Sequence, residues 1–147
     1  MQMLELFDAP DPCDCYRRST SVRPQQALAM TNSELAIRAG RRLARQLHAA
    51  ETARVQGSGF SEDRSDDAAF IMAAFEHVLA RRPTDAELSA STEFLEKQTT
   101  LFAGVDAKEL VTSDEKEPVP AATEPALRAR ENLVHALFSH HDFVTIR

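Results

Sequence analysis

Apolar residues recur at three- and four-residue intervals over most of the chain, and that period belongs to the α-helix. Between Asn32 and about Ala50 the apolar stripe is Ala36, Gly40, Leu43, Ala44 and Leu47. Arg38, Arg41, Arg42 and Arg45 fall largely on the other faces. Asn32 or Ser33 suits the N-cap, where a short side-chain oxygen accepts an otherwise orphaned backbone N–H. The small residues in the stripe let another helix approach closely.

Asp66 and Asp67 suit a helix N-terminus, with Ser65 as its cap. The helix that follows carries Phe70, Ile71, Ala74, Phe75, Val78 and Leu79 on a wide apolar face. Arg81 and Arg82 are expected to complement its C-terminal dipole, and Pro83 to stop it. Thr84 and Glu87 stand three apart as a capping box, so a new helix starts at once. Leu88, Ser91, Phe94, Leu95, Gln98, Leu101 and Phe102 form its mixed core face, and Gly104 is a natural stop. The two helices predict an αα-corner at "RRPTDAE". A last helix begins near Pro125, buries Leu127, Leu133, Val134, Leu137 and Phe138, and ends around "SHHD". The closing "FVTIR" reads as an extended tail.

The expected fold is therefore all-α, one domain with an irregular lead-in followed by about four to five packed helices. Residues 1–23 are the irregular lead-in, broken by Pro10, Pro12 and the Ser19-Thr20-Ser21 group. Residues 24–104 are a helical segment that opens with a short helix from Pro24 to Met30. Residues 105–123, with five acids, two lysines and two prolines, read as a solvated, mobile acidic linker. Residues 124–147 hold the C-terminal helix and tail.

Composition agrees with the helical reading. The 147 residues include only four glycines and no tryptophan, and 43% are hydrophobic. The net charge of −6 is uneven. Residues 1–54 hold eight Lys and Arg against six Asp and Glu, and the rest hold nine against seventeen. An acidic majority repels a polyphosphate, which argues against nucleic-acid binding. No apolar run approaches the about 20 residues that span a bilayer, and the start carries no targeting signal of the basic-then-apolar kind.

Candidate chemistry gathers in "CDCYRRSTSVRP". Cys13 and Cys15 are separated by one residue, whereas structural zinc sites use two to four and a second ligand pair. His140 and His141 would have to supply that pair, and adjacent histidines at a helix end point apart. The set Cys13, Cys15, His140 and His141 is thus a weak metal alternative, and unligated cysteines are the default. No Cys-x-x-Cys-His exists for covalent haem, and no cofactor is expected in this chain. Arg17 and Arg18 could raise the thiolate fraction of Cys15. With Arg23 they could instead hold an anion at the helix entrance, or bond Asp8, Asp11 and Asp14. Cys15, Arg17, Arg18 and His141 are the ligand-binding candidates. No catalytic residue is assigned, and the sequence leaves open whether the protein is an enzyme. His77 and His135 read as structural, and Glu76, Glu87 and Glu131 as capping or surface carboxylates.

Three stretches in order, "FDAPDPCDCYRRSTSVRPQQALAMTNSELAIRAGRRLA", "FIMAAFEHVLARRPTDAE" and "ARENLVHALFSHHDFVTIR", together resemble the C-terminal part of the planctomycete-type PSD domain family (domain of unknown function 1553). In this resemblance Cys15 matches the family's cysteine before Tyr16-Arg17-Arg18, and Cys13 is a local extra. The resemblance implies a longer, exported, extracytoplasmic parent associated with a cytochrome c-like haem segment and polymer degradation. It also implies upstream domains of that parent as partners, and haem in the parent alone. The expected role is a structural or partner-binding module, with a rival in which Cys15, Arg17 and Arg18 complete an active site begun upstream. The "FIMAAF" face is then expected to be partly exposed in the isolated chain.

Overall fold

The computed structural model describes residues 28, 32–57, 66–104 and 119–144. Five helices occupy them: α1 (Glu34–Gly57), α2 (Asp66–Leu79), α3 (Asp85–Ala103), α4 (Pro125–Phe138) and the single turn α5 (His141–Val144). Among the described residues there is no strand, and the all-α class holds. The lead-in over 1–23, most of the short helix expected from Pro24, the Ser65 cap, the linker from 105 to 118 and the last three residues lie outside the described residues.

The local signals act where the residues place them. Ser33 is the α1 cap, its Oγ accepting the Ala36 N–H at 3.1 Å, and the helix then runs seven residues past Ala50. Thr84 and Glu87 form the full capping box at the start of α3. Pro125 occupies the first turn of α4, where its missing N–H has no helical partner to lose. Gly104 ends α3 at φ −88°, so the stop does not use the left-handed conformation open to glycine. The α2 helix ends at Leu79, short of the arginines: Ala80 takes φ 53° and turns the chain out of the helix. Arg81 and Arg82 therefore stand in the corner itself.

The contacts fix the helix directions. Gly40 of α1 lies against Phe138 and His135 of α4, and Arg45 against Glu131, so α1 and α4 are antiparallel. Gln98 meets Asn132 and Phe102 meets Arg128, so α3 also runs against α4. Asp67 meets Arg130 near the start of α2, and Arg81 meets Asp142 just past its end, so α2 runs with α4. The result is an up-down-up-down bundle in which α4 packs against each of the other three long helices. Close approach at Gly40 needs a small residue: an added Cβ would stand 3.4 Å from the Phe138 ring.

One core joins all four long helices. It contains Ala44, Leu47, Phe70, Ile71, Ala74, Phe75, Leu95, Ala129, Leu133, Val134 and Leu137. The "FIMAAF" face expected to be partly exposed is instead closed: Phe70, Ile71 and Ala74 are 0% exposed and Phe75 is 2%. Leu43, Val78, Leu79, Leu88, Phe94 and Phe138 pack partly buried against this core, whereas Leu127, also read as core, is half-buried outside that set and Leu101 is exposed. Phe143 and Val144, read as part of an extended tail, belong to α5, where the Phe143 ring rests 5.1 Å from that of Phe138. The end of the acidic linker differs as well, because Val119 and Ala122 are buried.

Candidate functional site

Three assemblies of charged side chains hold the bundle, and they are the places where chemistry could reside. The first lies at the α2–α3 corner. The Arg81 guanidinium donates Nη1 and Nη2 to Glu87 at 2.9 and 2.6 Å, and Nε to Asp142 of α5 at 2.9 Å. Nη1 also donates to the Arg82 carbonyl at 3.2 Å, and the Phe75 ring lies beneath the guanidinium with 5.6 Å to the centroid. Glu87 also accepts the Thr84 N–H at 2.8 Å. His140 faces the same two carboxylates, Nε2 at 3.8 Å from Glu87 and Nδ1 at 3.7 Å from Asp142, while Nδ1 accepts the Asp142 backbone N–H.

This geometry shifts the titration of Glu87 and Arg81. The Arg81 hydrogen bonds, helped by the Thr84 backbone, hold the Glu87 carboxyl down at about 2. The Arg81 guanidinium is in turn pushed above its usual value, first by Glu87 and then by Asp142. A carboxyl that stays ionised to such low pH has no proton to give or take near neutrality, so Glu87 is a poor general acid or base. Its role is mechanical: it ties the corner to the α3 cap.

Linkage gives the sign of the pH effect. The folded pKa of Glu87 is depressed from 4.5, so its contribution is fully present above pH 4.5 and is lost as pH falls toward about 2. Glu87→Gln is expected to destabilise the chain by about 1–2 kcal/mol at pH 7, the loss of charge-assisted bonds. The gap between variant and wild type should close on acidification to pH 2, as followed by urea unfolding at several pH values. A gap that is constant with pH would contradict the ion-pair assignment.

The second assembly is buried at the other end of α2. Arg130 of α4 is 5% exposed, donates Nη2 and Nε to Asp67 at 2.9 and 3.3 Å, and covers the Phe70 ring at 4.9 Å. Its Nη1 pairs with His48 Nδ1 of α1, which requires that nitrogen to accept. The third assembly centres on Glu131, 3% exposed. Its Oε1 accepts Arg45 Nε at 3.0 Å and its Oε2 accepts the Ala122 N–H at 3.0 Å. Read from the sequence as a capping or surface carboxylate, Glu131 is a buried strut. No local signal marks it, because Glu131 stands between Arg130 and Asn132 in sequence and its partner Arg45 lies 86 positions away.

Of the residues singled out from the sequence, Cys13, Cys15, Arg17 and Arg18 lie outside the described residues. His140 joins the corner network. His141 is exposed in α5. His135 is half-buried against α1 near Gly40, in keeping with its structural reading. His77 is exposed, its Nδ1 2.9 Å from the Ala73 carbonyl one turn back. Glu76 is exposed and paired with Arg82 at 3.0 Å. Among the described residues no group of three His, Cys, Asp or Glu is placed to hold a metal ion, and no helix is long and apolar enough to cross a membrane.

No curated protein and no solved structure matches this chain. A family model does, over residues 1–95, described as PSD1, protein of unknown function (DUF1553). The matched span contains α1, α2, the corner and α3 as far as Leu95, whereas α4 lies beyond it. The lead-in motif and "FIMAAFEHVLARRPTDAE" both fall inside the match, and within it Ala44 of α1 and Phe70 of α2 share one core. With the match covering well over half of its length, the chain belongs to the DUF1553 family.

Proposed function

We propose that this chain is the helical C-terminal module of a longer exported protein, working by packing and partner contact rather than by chemistry of its own. One observation carries the reading: the strongly held charges bridge separate parts of the chain. Arg81 ties the corner to α3 and α5, Arg130 ties α4 to α2 and α1, and Glu131 ties α4 to α1 and to residue 122. A carboxyl held at about 2 by Arg81 supports the same reading, since it is fixed in one protonation state.

In this reading the partners are the upstream domains of the parent, the setting is extracytoplasmic, and haem belongs to the parent. The test is a thermal melt of the chain followed by circular dichroism, with and without those upstream domains. Partner contact predicts a rise of about 3 °C or more, by mass action on the folded state, together with co-migration in size-exclusion chromatography. An unchanged melt without co-migration would overturn it. If Cys15→Ala in the parent abolished turnover while leaving its melt unchanged, the lead-in would belong to an active site instead.

A further inference from the structure

The ends of α3 and α4 lie side by side, with Arg128 over the Phe102 ring and Asn132 bonded to Gln98. An αα-hairpin needs about two to five residues to join such ends. Here residues 104–124 do so, and the last part of that connection does not take the short way. Residues 119–122 lie along the α1–α4 seam, level with Arg41 and Arg45.

The way the seam holds this strap is specific. Arg41 Nη1 donates to the Val119 carbonyl at 2.8 Å, and Arg45 Nη2 donates to the Pro120 carbonyl. Glu131 Oε2 accepts the Ala122 N–H at 3.0 Å, and Arg45 and Glu131 bond each other between these points. Three side chains on two helices thus read three backbone groups. The two arginines stand one turn apart and meet consecutive carbonyls. Side-chain selectivity is left to Val119 and Ala122, which are 6% and 8% exposed. Pro120 fixes its own φ and confines Val119 to the extended region. A segment of this kind gives up little conformational freedom on docking, which is why proline-containing extended peptides recur as ligands.

We infer that the α1–α4 seam is a receptor for an extended, proline-containing peptide segment with small apolar side chains, occupied in this chain by its own residues 119–122. The occupant in function is a segment of that chemistry on a partner protein, which displaces the strap and takes over its backbone contacts. The inference rests on the partner-contact reading and names the surface. It can fail while association with upstream domains survives, since those domains could contact another face.

The probe is a fluorescein-labelled peptide with the sequence of residues 117–123, Glu-Pro-Val-Pro-Ala-Ala-Thr. It is titrated by anisotropy into the full chain and into a Val119→Gly, Pro120→Gly variant with a weakened strap. The small contact area predicts dissociation constants of about 0.1–1 mM for the variant. Removing the tethered competitor should make its binding about tenfold tighter than that of the wild type. Adding Arg41→Met to the variant should abolish binding. No binding to a folded strap variant, or binding indifferent to Arg41, would overturn the inference. Should the strap variant fail to melt cooperatively, a several-millimolar excess of peptide is added to ¹⁵N-labelled wild type. Displacement predicts a shift of the Ala122 amide resonance, and an unmoved resonance counts against the receptor.

Discussion

Replacing Arg130 by alanine is expected to lower the unfolding free energy by about 3 kcal/mol. Breaking a buried ion pair from one side costs about 3–5 kcal/mol, because the other charge stays behind. The lower end applies here, since Asp67 is 39% exposed in its side chain and recovers water when its partner leaves. Three things are lost together: two hydrogen bonds to Asp67, the bond to His48 Nδ1, and the cation over Phe70. Arg130→Met keeps an apolar stem over the ring and should lose roughly half as much, as charged stems also act through packing. Urea unfolding of the three proteins separates these contributions. A loss below about 1 kcal/mol for the alanine variant would show that the buried guanidinium does not tie α4 to α2.

Phe70→Ala should cost about 3–5 kcal/mol, the range for deleting a fully buried aromatic ring. The ring is 0% exposed and belongs to the core shared by all four long helices, so the surroundings cannot close the void without moving a helix. It is also the ring under Arg130 at 4.9 Å, and the two effects should therefore overlap. The double variant is expected to lose less than the sum of the single losses, by the energy of the shared contact. Strict additivity would mean that the guanidinium and the ring act independently. A loss under about 2 kcal/mol for Phe70→Ala would contradict the placement of α2 at the centre of the core.

These two residues also show where reading the chain stops. Phe70 was legible as core because Ile71, Ala74 and Phe75 repeat around it at helical spacing. Arg130, next to Glu131 in α4, is not legible as a buried anchor, since the acid beside it in sequence is not the one it pairs with. Its partners Asp67 and His48 stand 63 and 82 positions away. The same holds for Glu131, whose buried position depends on Arg45 and on the backbone of Ala122. Arg81, which its spacing sets against the α2 dipole, is instead the hub of the corner, because Ala80 leaves the helix ahead of it. The candidate ligand residues around Cys15 were legible only as a motif; of that set, the structure describes His140 and His141.

What was written in local sequence is every feature whose cause lies within about one helical turn. The Ser33 cap, the Thr84–Glu87 capping box, Pro125 in the first turn of α4 and the apolar stripes of α1 and α2 are all of this kind. They depend on i to i+3 and i to i+4 geometry, which the chain carries wherever it goes. The tertiary structure alone decided which charges are desolvated, that α4 packs on the other three long helices, that the "FIMAAF" face is covered, and that residues 119–122 lie along the α1–α4 seam. These rest on pairs distant in sequence, from Gln98 and Asn132, 34 positions apart, to Arg45 and Glu131, 86 apart. Burial, and with it the energy of a charge or an apolar face, is a property of what the folded chain brings alongside.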